Sequence, residues 1–153
     1  MGRGWRRRRR CDILYVRVNL MAVAQHQILI VDDNLDEVLI TKKVLLGIGF
    51  DISVETAPSG EAGLSRLKAE KALPFLIFLD LKMPGMGGIN MLRVIRADER
   101  LKHLHVVVLT NSSLEADRVE ALEAGADSFL HKAFDLDQFE KDLKAVLEGR
   151  LKN

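Results

Sequence analysis

The chain has 153 residues, a net charge of +1 and one cysteine, Cys11. That length suits a single domain with one sizeable core, and a lone cysteine excludes an internal disulfide or a cysteine-rich metal site. No apolar run approaches the roughly 18 residues that a spanning helix needs, so the sequence reads as a soluble, cytoplasmic protein without membrane contact.

The small net charge conceals two regions. Residues 1–20 hold seven arginines against one acid, Asp12, and carry +6, while the remainder carries −5. Asp12 and Arg17 interrupt what would be the apolar part of a secretory signal. An arginine block attracts phosphate, so the head is a candidate nucleic-acid or membrane-surface arm. The plainer reading is a disordered basic extension over 1–24, with Met21 as an alternative start and a single domain over 25–150.

From Gln27 onward, short β-like runs alternate with helical patterns. "ILIV" predicts a first strand, and "NLDEVLITKKVLL" a helix in which Asn34 and Glu37 have capping-box spacing. "ISVET" predicts a second strand, followed by a helix from Ser59 that turns Leu64 and Leu67 inward. "FLIFL" and "GINMLRVIRADE" form the third pair. "HVVVLT" and "SSLEADRVEALEAGA" form the fourth, with Ser112 and Glu115 spaced as a capping box and Gly125 as the stop. "DSFLH" is the fifth strand, and the last helix, "DLDQFEKDLKAVLEG", carries Leu136, Phe139, Leu143 and Val146 on one stripe. Five such pairs imply a parallel sheet covered on both faces.

In open parallel sheets, ligands bind beyond the carboxyl ends of the strands, where strand order reverses. The first strand ends in Asp32 and Asp33, the third in Asp80 and the fourth in Thr110, and Lys132 follows the fifth. With strand order 2-1-3-4-5 these groups converge. Three carboxylates and one ammonium leave a net charge near −2, which a divalent cation with oxygen ligands relieves, and Mg²⁺ suits such a set. A carboxylate beside Mg²⁺ can attack phosphorus, with Lys132 and the Thr110 hydroxyl sharing the charge neutralisation. Asp80, at the head of a Met-Pro-Gly loop, is the candidate acceptor.

"ILIVDDN", "FLDLKMPGMGG", "VVVLT" and "DSFLHKAF" resemble, in order and spacing, the motifs of the response-regulator receiver domain of two-component signalling, over about Gln27 to Glu148. The resemblance implies a flavodoxin-like doubly wound α/β fold with five helices and sheet order 2-1-3-4-5. By position it implies Asp80 as phosphoacceptor, Asp33 as direct Mg²⁺ ligand, Asp32 as the water-mediated one and the main-chain carbonyl of Lys82 as a further ligand. Thr110 and Phe129 would form a switch pair, although Phe129 is equally readable as core, and Lys132 would contact the phosphoryl group. The implied partners are a sensor histidine kinase and an unknown downstream protein. A weak homodimer through the charged surfaces of the last two helices is a further expectation. No output domain is expected, and no enzymatic turnover beyond self-phosphorylation and dephosphorylation.

Ala133, Asn111 and Lys82 depart from the commoner family residues. Ala133 replaces a proline, and because a cis bond without proline costs about 2.5–4 kcal/mol, a trans Lys132–Ala133 peptide is expected. With "RADERLKHLHVVVLTNS", this departure resembles regulators that partner phytochrome-type kinases. Two rival readings are a non-phosphorylated pseudo-receiver that only binds protein, and a haloacid-dehalogenase-type phosphatase. The first should lack an acid or the lysine, and the second should carry an acid where Lys82 stands.

Overall fold

The computed structural model describes residues 26–132 and 135–151. The arginine-rich head and the Lys132–Ala133 peptide lie outside the described residues. In chain order the elements are β1 (Gln27–Val31), α1 (Leu35–Gly47), β2 (Ser53–Ala57), α2 (Gly60–Ala69) and β3 (Leu76–Leu79). They continue as α3 (Gly87–Ala97), β4 (Val106–Thr110), α4 (Glu115–Glu123), β5 (Ser128–His131) and α5 (Leu136–Leu151). All strand pairs are parallel and the sheet order is β2-β1-β3-β4-β5, the flavodoxin-like arrangement expected. Among the described residues no helix is long and apolar enough to cross a membrane.

Successive side chains of a strand point to opposite faces, and the apolar runs divide accordingly. Ile28, Ile30, Leu76, Phe78, Val107 and Leu109 face α1 and α5, packing on Val38, Leu45, Phe139, Leu143 and Leu147. Leu29, Val31, Ile77, Leu79 and Val106 face α2 and α3, with Leu64, Leu67, Met91, Leu92 and Ile95. Val108 belongs to that second face and meets Ala121 of α4, with Phe129 packed alongside. The chain moves one way from β1 to β2 and the other way through β3, β4 and β5. Crossovers of one hand must then place α1 on the face opposite α2, α3 and α4.

Two local expectations change. Leu136 is 55% exposed, and the buried stripe of α5 is Phe139, Leu143 and Leu147, with Val146 partly buried. Leu136 is the first residue of its helix and lines an open cavity with Ile40, Thr41 and Phe139 instead of entering the packed core. α4 begins at Glu115 without a side-chain cap. Ser112 lies short of the cap; its hydroxyl accepts from the Leu114 N–H at 3.3 Å and donates to Asp117. Gly125 does stop α4: with φ 108° it brings its own N–H to the Leu122 carbonyl and that of Ala126 to Ala121, at 3.1 and 3.0 Å.

The loop after β3 is the tightest joint. Gly85 and Gly87 have positive φ, and Glu61 of α2 accepts the Met86 N–H at 2.7 Å. A Cβ on Gly88 would collide with the Asp80 carbonyl oxygen and lie 2.8 Å from Leu81 Cα, both backbone atoms that cannot give way, whereas nothing lies within 4 Å of one on Gly47. Gly88→Ala is therefore expected to lose about 1–3 kcal/mol in urea unfolding. Gly47→Ala should be neutral or gain a few tenths of a kcal/mol; equal effects of the two substitutions would contradict this packing.

Candidate functional site

Main-chain hydrogen bonds extend the sheet just beyond its carboxyl edge. Asp32 N–H donates to Ala57, Asp80 N–H to Val31 and Lys132 N–H to Thr110, at 3.1, 2.9 and 2.8 Å. Sheet register thus sets the height of every group predicted from the strand ends. Asp32, Asp80 and Thr110 are buried, while Asp33 is exposed. Carboxylate oxygens of Asp32, Asp33 and Asp80 lie within 4.8 Å of one another. Together with Asn34, Glu37, Lys82, Thr110, Asn111 and Ser112, Asp33 and Asp80 line a cavity of about 390 Å³.

Lys132 is the cation of this edge. Its Nζ donates to Asp32 Oδ2 at 2.6 Å and to Glu37 Oε2, and lies 3.8 Å from Asp80 Oδ1. Burial works against its charge, but the bonds to Asp32 and Glu37 outweigh burial and raise its pKa. Burial pushes the Asp80 carboxyl up to about 6; Lys132 opposes that rise, and Asp32, Glu37 and Asp33 add to it. Asp80 is therefore mostly ionised at neutral pH but held in a negative potential. An all-oxygen donor set with uncompensated charge, two of its members lining the cavity, fits Mg²⁺, which keeps waters beside one or two carboxylates.

The remaining expected residues divide. Thr110 Oγ1 accepts the Ser112 N–H at 3.2 Å. Phe129 is partly buried against the cluster of Val108, Leu81 and Ala121. The Lys82 side chain turns outward, 67% exposed, 3.7 Å from Asp117 of α4, which leaves its main chain as the part nearest Asp80 in sequence.

Residues 28–144 match the family described as response regulator receiver domain. The chain belongs to that family. This receiver is 37% identical to the chemotaxis protein CheY of Pseudomonas aeruginosa over 122 residues, 80% of this chain and 96% of that one. It is 36% identical over 132 residues, 86% of its own length, to the DNA-binding response regulator MtrA of Mycobacterium bovis, where it spans only 53% of that protein. Among solved structures it resembles the phosphorylated cyanobacterial phytochrome response regulator RcpA, with TM-score 0.76 and 27% identity, covering 83% of this chain and 94% of that one. Receiver domains bind Mg²⁺ at an acidic pocket, and the Asp32, Asp33 and Asp80 cluster of this receiver could hold such an ion.

Glu37 belongs to this edge, and reading it only as half of a capping box missed that. Asn34 does cap α1, accepting from Asp36 and Glu37 N–H at 3.1 and 3.3 Å, but the Glu37 carboxylate does not return to the Asn34 N–H. That N–H donates to Asp32 Oδ1 at 3.0 Å. Glu37 instead accepts from Lys132 and, at 2.6 Å, from Asn111 Nδ2. Burial raises its pKa, but those two hydrogen bonds prevail and the net shift is downward. The only sequence signal was an acid one helical turn past the aspartate pair, on the turn nearest them.

Because Asp80 has a folded pKa above its ordinary 3.8, the folded chain holds a proton that the unfolded chain has released between about pH 4 and 6. Its ionisation costs stability as pH rises through that window, by up to about 3 kcal/mol. In EDTA, Asp80→Asn should raise unfolding stability by about 1–3 kcal/mol near neutral pH and have little effect at about pH 4. The same gain at both pH values would refute this origin of the shift.

Proposed function

We propose that this receiver accepts a phosphoryl group on Asp80 from a sensor histidine kinase and signals by the change of surface that follows. The observation that carries the reading is Asp80 itself: a buried carboxylate, 3.8 Å from the Lys132 ammonium and beside two further acids. Asp33, Asp32, Asp80 and the Lys82 carbonyl are the groups that would hold Mg²⁺, with Asp33 assigned as the direct ligand and Asp32 as the one acting through water. Bound Mg²⁺ supplies charge neutralisation at the phosphoryl oxygens.

Asp80 Oδ attacks phosphorus as the bond from phosphorus to the donor imidazole nitrogen breaks, and the leaving imidazole takes up the proton that its neutral form requires. Lys132 then pairs with the new phosphoryl oxygens. Thr110 gives up the Ser112 N–H and donates its hydroxyl to the phosphoryl group, drawing in the segment before α4. Asp117, bound to Ser112 and near Lys82, ties that segment to the loop carrying the acceptor. The face of α4, β5 and α5, with Phe129, is the element this biases. Output passes to a partner protein, to a weak homodimer or along a phosphorelay. The phytochrome response regulators among the similar structures support a phytochrome-type kinase as donor. The rival binding-only reading is disfavoured by the full set of acids, lysine and hydroxyl, and the phosphatase reading by Lys82.

Acetyl phosphate with Mg²⁺ should add one phosphoryl group per chain, seen by intact mass, and Asp80→Asn should abolish it. Continuous turnover of the donor without a retained group would favour the phosphatase, and no reaction the binding module. In Mg²⁺ titrations followed by calorimetry, Asp33→Ala should weaken binding at least about tenfold more than Asp32→Ala, because a direct ligand contributes more than one acting through water. Equal losses would reverse the ligand assignment.

A further inference from the structure

Lys132 sits between competing acids. Its Nζ is within hydrogen-bond distance of Asp32 and Glu37 but not of Asp80, at 3.8 Å. The lysine side chain is 9% exposed, so little water can replace a partner it leaves. To reach phosphoryl oxygens on Asp80 it must surrender at least one carboxylate. Glu37 is the one of the two outside the metal-binding cluster. It is delivered by the first turn of α1, which the Asn34 cap orients.

The other oxygen of Glu37 accepts from the Asn111 side chain at 2.6 Å, and Asn111 directly follows Thr110. Glu37 and Asn111 border both the acidic cavity and a second cavity lined by Ile40, Thr41, Leu136 and Phe139. The two residues form the wall between them. One carboxylate therefore binds the lysine with one oxygen and the switch segment with the other.

We propose that Glu37 is a positioning residue that holds Lys132 away from Asp80 in the resting receiver and couples its release to movement of the Thr110–Asn111 segment. The proposal rests on the assignment of Asp80 as acceptor and Lys132 as its cation. When the segment moves, the bond from Asn111 to Glu37 stretches or breaks, and the carboxylate that competes for the lysine loses its anchor. Glu37→Gln keeps the size of the side chain and can still accept from Asn111 through its carbonyl. It turns an amide donor toward Lys132, which removes the competing acceptor.

Two readouts test this. In ¹H–¹⁵N correlation spectra of the metal-free protein, Glu37→Gln should shift or broaden away the Lys132 ammonium signal, assigned by its absence in Lys132→Met. An unchanged ammonium signal overturns the proposal whatever the protein does with phosphate. In beryllofluoride titrations with Mg²⁺, Glu37→Gln should lower the half-saturating concentration by about tenfold, the scale of one hydrogen bond to a charged group. That gain should survive high salt and vanish in the Lys132→Met background. A gain that salt removes, or that persists without the lysine, reports general repulsion of an anion by Glu37 and overturns the proposal. If the wild type does not respond to beryllofluoride, the phosphoacceptor reading fails and this inference falls with it. If the wild type responds and Glu37→Gln matches it, only the inference falls.

Discussion

A parallel strand can follow its neighbour only through a crossover, and crossovers keep one hand. Here the chain steps from β1 to β2 and then back across β1 to β3, so consecutive helices must change faces. The reversal leaves the ends of β1 and β3 side by side with no helix closing the gap between them. Asp32, Asp33 and Asp80 occupy those ends, and Thr110 and Lys132 come from the next two strands. Every polar group of the site inherits its position from this topology, and the two apolar clusters above and below the sheet keep the register from slipping.

The same arrangement creates the electrostatic problem that the site carries. Burying Asp80 near Asp32 and Asp33 is unfavourable, and the single positive charge of Lys132 does not balance them. Lys132 bonds the acids that offer the best geometry, Asp32 and Glu37, and reaches Asp80 only at longer range. The excess negative charge makes the edge receptive to a divalent cation, and the lysine is shared among its acids rather than committed to Asp80. The local cost to stability is one that binding of a cation would relieve.

Connections outward from the site are polar and short. Thr110 accepts from Ser112, Ser112 donates to Asp117, and Asp117 lies near Lys82, so the loop after β3 and the start of α4 share one carboxylate. On the other side, Glu37 links α1 to Lys132 and Asn111. Both links replace capping boxes read from spacing. At Asn34 the cap itself forms, but the acid three residues on is drawn to a buried ammonium, a stronger partner than a neutral backbone N–H. At Ser112 the helix starts later than the spacing implied, and the hydroxyl pairs with Asp117 of the first turn instead.

Alternating strand and helix patterns, the acids at two strand ends, and the threonine and lysine after two others were all legible in the linear sequence. Period, turn chemistry and strand-end position are local properties of the chain. Sheet order was legible only through the family resemblance, since no local pattern states which strands are neighbours. What the tertiary structure alone decided is how charge is shared among residues far apart in the chain. It placed Glu37 against a lysine 95 positions later, turned the Lys82 side chain outward to α4, and exposed Leu136 while burying Leu147. Hydrophobic spacing specifies a face but not which of its positions other elements cover, and capping-box spacing specifies a helix start but not a competing ion. Those outcomes depend on which groups meet in space, and a carboxylate takes the strongest donor within reach.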